Sequence, residues 1–218
     1  MDISWKVSDD MIYTTTFSGL DMDFGQSYNF TCNDLFHFPI GGYDLDVWIS
    51  AVNGPTDNDT SNNLKSKEMS VYSHSIYRKP AFEEFTSSTC GPCANFNTSF
   101  NPWTENHAGE ITLIKYQMDW PGNGDPYYTE EGGERRMYYG VSYVPWPQCN
   151  GAYVDYTIGA VETAYQDAIL KPGIAKIAAS HTLDGTEITV NANILPFANF
   201  NDFRAHIIVI ENETTGNV

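Results

Sequence analysis

The sequence predicts an α/β core set between two partial β-modules, and three observations carry that expectation. Apolar residues recur with a two-residue period through residues 1–79, strand-like and helix-like segments alternate across 80–172, and β patterning returns after Gly173. The chain has 218 residues, 41% hydrophobic and 14% aromatic, enough apolar material for a real core in one or two domains. Eleven basic against 28 acidic residues give a formal charge of -17. Such a charge repels phosphate backbones and anionic headgroups, which argues against nucleic-acid or membrane-surface binding.

In the first module, Tyr28–Cys32 and Tyr43–Ile49 alternate as strands do, each after a glycine turn signal. A polar stretch, Asn53 to Asn63, precedes a further strand expected around Met69–Tyr72. Short strands at this spacing suggest an Ig-like sandwich. The count is low for a closed one and the chain opens almost directly in strand-like sequence, so the first strands are expected upstream.

The second segment starts at Pro80. A strand over Ala81–Phe85 runs into Cys90-Gly91-Pro92-Cys93 and a helix to about His107. Ile111–Tyr116 is a short apolar run of the buried-strand kind. A Gly/Pro-rich insertion (Asp119 to Pro126), a short helix near Glu134–Tyr139 and a hairpin at Asn150-Gly151 follow. Residues 157–170 place Ile158, Val161, Tyr165 and Ile169 along one helical face, stopped by Lys171-Pro172-Gly173. Strands are then expected at 174–179, 187–194 and 205–210, a partial C-terminal β-domain that is expected to continue. The divisions are therefore 1–79, 80–172 and 173–218.

No apolar run approaches the ~20 residues of a membrane-spanning helix. The start, Met1-Asp2-Ile3-Ser4, lacks the basic and apolar regions of a signal peptide. Low Lys and Cys content beside abundant Tyr, Asn, Thr, Gly and Trp nevertheless has the cast of an exported bacterial protein.

Cys90-Gly91-Pro92-Cys93 is the specific chemical signal. A thiolate is the attacking species in disulfide exchange, and unpaired N–H groups at a helix N-terminus lower a thiol's pKa. Cys90 at that N-terminus is expected to be exposed and activated, with Cys93 close enough to resolve a mixed disulfide. The blander readings are an inert stapling disulfide or half a zinc site. Zinc needs four ligands, and neither a second Cys-x-x-Cys nor a nearby His pair is present.

Residues 80–170 resemble the thioredoxin family in motif order: a strand ending in acidic and aromatic residues, Cys-Gly-Pro-Cys opening a helix, and a Val-Pro pair about 50 residues later, before a hairpin. The resemblance implies a thioredoxin-like α/β core, a central mixed sheet flanked by helices, with partial β-sandwich modules on both sides. It implies Cys90 as attacking cysteine, Cys93 as resolving cysteine and Pro145 as the cis-proline beside the disulfide. It also implies Glu84 as a buried acid handling the Cys93 proton, though one methylene longer than the family's acid. Val144 and Trp146 are the implied substrate contacts. Thr89 stands where the family carries Trp, and Trp146 where it carries Thr, so the substrate surface differs. The three-part layout also resembles exported, outer-membrane lipoprotein-like proteins of Bacteroides-type bacteria, placed in the periplasm, at the outer-membrane surface or secreted.

The expected function is thiol–disulfide exchange on protein substrates with an external redox partner, without nucleic acid, and without metal or cofactor beyond the cysteine pair. The alternative is a cell-surface binding or structural protein that uses the core as a redox-inactive scaffold. Cys32 and Cys149 are either free thiols or a bridge from the first module to the core, and Cys149, four residues past Pro145, admits a third redox role. Asp57, Asp59, Ser61 and Glu68 fit calcium-loop positions, but Asn62 replaces the required glycine, so a solvated hairpin tip is the better reading. The five histidines show no metal-like spacing. Tyr138-Tyr139 and Trp120-Pro121 either rim a substrate groove or pack under a loop.

Overall fold

The computed structural model describes residues 1–32, 37–56, 59–198 and 204–212. The first alternating segments form β1 (Asp2–Val7), β2 (Tyr13–Thr16), β3 (Gly41–Ala51) and β4 (Lys65–Val71), an antiparallel sheet of order β2-β1-β3-β4. Central β1 buries Ile3, Trp5 and Val7, and Trp5 stacks on Tyr13 with ring centroids 4.7 Å apart. Ser4 is also buried, and its hydroxyl hydrogen-bonds with those of Thr14 (2.8 Å) and Ser50 (2.7 Å). The expected strand at Tyr28–Cys32 is absent; these residues are irregular, with Tyr28 and Phe30 ringed against Phe17. Alternation makes a strand only where a partner takes up the backbone hydrogen bonds.

The next segment gives β5 (Ala81–Thr86), α1 (Gly91–Asn106), β6 (Thr112–Gln117), α2 (Glu130–Tyr139), β7 (Trp146–Cys149), β8 (Ala152–Tyr153) and α3 (Ile158–Ile169). The sheet order is β6-β5-β7-β8, with β5–β6 parallel and the other pairs antiparallel. Asn150 and Gly151, both at positive φ, turn the β7–β8 hairpin. Thr129 and Thr157 cap α2 and α3 by accepting hydrogen bonds from Gly132 and Ala160. β9 (Ala175–Asp184) and β10 (Glu187–Pro196) form a two-stranded antiparallel hairpin, and 205–210 is not a strand.

The expected α/β thioredoxin-like class is therefore corrected. The chain is mostly β, 36% strand against 20% helix, built from several small sheets that are antiparallel apart from the β5–β6 pair. Alternation of strand and helix is confined to 81–169, where the strands are two to six residues long. Six of the ten described strands lie outside it, so the period-2 flanks, not the alternating segment, decide the class.

Spatial proximity groups the described residues of Met1–His74 with those of Ile174–Asn201, and those of Ser75–Gly173 with those of Asp202–Val218. Residues 174–198 thus group with the N-terminal segment, where Ser73 N–H donates to the Phe197 carbonyl (2.9 Å) and His74 packs on Phe197.

In the second unit β5 divides its side chains by parity, as a strand must. Phe82 joins Phe96, Phe100 and Trp103 of α1 and Val161 and Tyr165 of α3 in one buried cluster. Phe85, three residues on, joins Met118 and Val141 in another. Glu83 and Glu84, consecutive and both buried, consequently project in opposite directions.

Candidate functional site

Cys90 is the N-cap of α1 and is disulfide-bonded to Cys93 in its first turn. The local sequence explains the placement: Pro92 supplies a helix-compatible φ where the missing N–H is not needed. The Cys93 backbone N–H donates to the Cys90 sulfur at 3.1 Å, and the Cys90 carbonyl accepts from Ala94 N–H at 3.0 Å. The expected exposure of Cys90 is not met. Only 2% of Cys90 and 1% of Cys93 is accessible, although Gly91 and Pro92 between them are exposed.

The Val144–Pro145 peptide is cis, and the Val144 carbonyl oxygen lies 3.7 Å from Cys90 Sγ. Pro145 is fully buried. Trp146, half-buried, packs between Tyr143 (4.8 Å) and Tyr153 (4.4 Å), both partly exposed. The structure therefore brings Cys90, Cys93, Val144 and Pro145 together and sets Trp146 in an aromatic trio next to them. Beside the motif, a cavity of about 360 Å³ opens between α1 and the entry to α3, bordered by Pro92, Asn95, Phe96, Tyr156 and Ile158.

Glu84 is completely buried on the Phe82 side of β5, the side that α1 covers. Burial pushes its carboxyl above the ordinary carboxylate range, and the pull of Lys115 in the other direction does not cancel this. Lys115 Nζ stands 2.8 Å from Glu84 Oε2 and donates to the side-chain oxygens of Asn97 and Asn101 at 2.6 Å each. Asn97 is one helical turn beyond Cys93, so Lys115 bridges the buried acid and the helix that carries the cysteines.

Sequence reasoning missed the matching pair on the opposite side. Glu83 accepts hydrogen bonds from Arg135 Nε (2.9 Å), Tyr116 (3.0 Å), Tyr139 (2.8 Å) and Gln148 (3.2 Å). Burial opposes ionisation of Glu83, but the donors, Arg135 foremost, outweigh it and hold the carboxyl below its usual range. Tyr139 is thereby engaged with Glu83 and Arg135. The only hint in the sequence was the Glu-Glu pair within an otherwise apolar strand. Asp125 was also missed; buried, it accepts from the backbone N–H groups of Ser88 (2.8 Å) and Tyr127 (2.9 Å).

Cys32 and Cys149 are free thiols, the latter buried, with burial raising its pKa. Asp59 caps the 3-10 turn Thr60–Asn62 between β3 and β4, whereas Asp57 lies outside the described residues. No helix among the described residues is long and apolar enough to cross a membrane, which says nothing of a β-barrel.

No family model matches the chain, and no curated protein matches it. A crystal structure of an Agrobacterium tumefaciens protein, solved as a structural-genomics target, is similar at 20% identity with a TM-score of 0.39. The match covers 54% of this chain and 56% of that one. The chain thus spans about half the length of that protein, and a likeness this distant says nothing about activity.

Proposed function

We propose that Cys90 and Cys93 form a thiol–disulfide exchange site on an exported protein, acting on protein substrates. The observation that carries this reading is the hydrogen bond from Cys93 N–H to the Cys90 sulfur at a helix N-terminus. Once the bond is reduced, that N–H and the helix dipole favour the Cys90 thiolate over the thiol. The thiolate attacks one sulfur of a substrate disulfide, forms a mixed disulfide and releases the other substrate sulfur as a thiolate. Cys93 then loses its proton and attacks Cys90 Sγ, releasing the second substrate thiolate and restoring the Cys90–Cys93 bond. Two electrons pass to the substrate, and an external dithiol partner returns them; the reverse sequence oxidises a substrate dithiol. Glu84, neutralised in part by Lys115, is the proposed proton acceptor for Cys93. Pro145 and Val144 shape the wall against which the substrate backbone lies, and Trp146 borders it.

The test is insulin-disulfide reduction and dithiol oxidation by the wild type, Cys90→Ser and Cys93→Ser. Loss of turnover in both variants, with a mixed disulfide trapped on Cys90 in Cys93→Ser, supports the reading; turnover equal to wild type in both overturns it. The near-complete burial of Cys90 favours a second reading, a binding or structural protein with a redox-idle disulfide. A reduction potential for the pair below about -300 mV would favour that reading, and one between about -120 and -270 mV the exchange site.

A further inference from the structure

Cys90 is buried at a place where helix geometry alone would expose it. Its two successors in the chain, Gly91 and Pro92, are open to solvent, as is Thr89 before it. The Val144 carbonyl, 3.7 Å from Sγ, closes one approach. A second element is fastened to the two residues immediately preceding the cysteine.

That element is the strap of residues 119–124, which leaves the sheet region at Met118 and returns at Asp125. Its ends are joined by a hydrogen bond from Asp125 N–H to the Met118 carbonyl (2.9 Å). Inside it, the Trp120–Pro121 peptide is cis, and Gly124 N–H closes on the Pro121 carbonyl (3.1 Å). Gly124 has φ +75° and a Cβ there would fall 2.5 Å from the Asp119 backbone, so only glycine fits this turn. Two anchors tie the strap to the motif. Thr89 Oγ1 donates to the Pro121 carbonyl at 2.6 Å, and Ser88 N–H donates to Asp125 Oδ2 at 2.8 Å. A third tie holds its far side, where the Arg136 guanidinium lies over the Trp120 ring at 4.5 Å.

We infer that this strap, fastened by Thr89 and Asp125, limits access to Cys90 and makes Thr89 the positioning residue that sets what reaches the sulfur. The inference rests on the proposed exchange site for its functional meaning, but not for its physical content. With the strap seated, Cys90 meets small disulfides and slender, extended peptide segments. With Thr89 unfastened, it meets bulky reagents as well. The hydroxyl acts through its bond to the strap and makes no bond to the reacting sulfur, so it is not a catalytic group.

The experiment uses the full chain, reduced, with Cys149 left in place as an internal reference. Alkylation of each cysteine by a bulky maleimide is timed by peptide mass for the wild type, Thr89→Val, Thr89→Ser and Asp125→Ala. Thr89→Val and Asp125→Ala are expected to speed Cys90 alkylation at least tenfold while the Cys149 rate stays unchanged, and Thr89→Ser to restore the slow rate. Parallel rises at Cys90 and Cys149 overturn the inference, because they mean general loosening. Unchanged Cys90 rates in both releasing variants also overturn it. Reduction of 5,5′-dithiobis(2-nitrobenzoate) by the same proteins separates the two ideas. Faster alkylation of Cys90 without turnover in any of them leaves the strap standing and removes the exchange reading.

Discussion

Replacing Lys115 with Met strands Glu84, and the cost depends on pH in a way that the structure bounds. The carboxylate has no accessible surface, and Lys115 Nζ at 2.8 Å is its counter-ion. Without it, the buried carboxyl takes up a proton on folding rather than remain charged. An unfolded glutamate titrates near 4.3 and one pKa unit is worth about 1.36 kcal/mol, so protonation at pH 7 costs at most about 3.7 kcal/mol. At pH 5 the same ceiling is about 1 kcal/mol. Lys115 also gives up its bonds to Asn97 and Asn101, but that loss does not vary with pH over this range. The sign agrees with the wild type, in which the Glu84 carboxyl already titrates above its unfolded value. The folded state then holds more protons over that interval, and stability falls as pH rises through it. Hydrogen exchange of the β5 and α1 amides in wild type, Lys115→Met, Glu84→Gln and the double variant at pH 5, 6 and 7 measures the effect. The Lys115→Met penalty should grow from pH 5 to 7 by less than about 2.7 kcal/mol, because the raised wild-type carboxyl already loses part of that stability over the interval, and in the Glu84→Gln background it should not grow. A penalty equal at pH 5 and 7 would refute the argument that Lys115 compensates a buried charge.

Three further outcomes follow from the same unit. Phe100→Ala empties the centre of the α1–α3 cluster, where the ring stacks on Phe96 and Trp103, and should cost about 3–5 kcal/mol in urea unfolding. Arg135→Met removes the strongest donor to Glu83 and should destabilise by roughly 2–4 kcal/mol at pH 7. Because the Glu83 carboxyl titrates below its unfolded value, the stability it contributes in the wild type is lost as pH falls through its folded value, so the Arg135→Met penalty should shrink in acid. Cys149, buried with its thiol pKa raised, should alkylate at least a hundredfold more slowly in the native chain than in urea; equal rates would contradict its placement.

The sequence by itself placed the cysteine motif at a helix start, the Asn150-Gly151 hairpin, and the helix from Ile158, because each is written in neighbouring residues. Local backbone preferences and helix caps act over three or four positions, and such signals survive without tertiary context. Tyr28–Cys32 shows the limit: its alternation is as regular as that of Tyr43–Ile49, yet β3 found partners in β1 and β4 and Tyr28–Cys32 found none among the described residues. The fold class failed for a related reason, since alternation over 81–169 says nothing of how many strands the flanks add. Glu84 was legible as an acid near the motif, but its charge partner was not. Lys115 sits 31 residues away and reaches it only because β5 and β6 pair in parallel with Glu84 opposite Lys115. The Glu83 network draws on β6, α2 and β7, and the carbonyl that Thr89, beside Cys90, bonds to lies more than 30 residues downstream. Short-range signals position the reactive groups, whereas their charge, access and neighbours come from residues distant in sequence, which only the paired strands and packed helices bring within a hydrogen bond of one another.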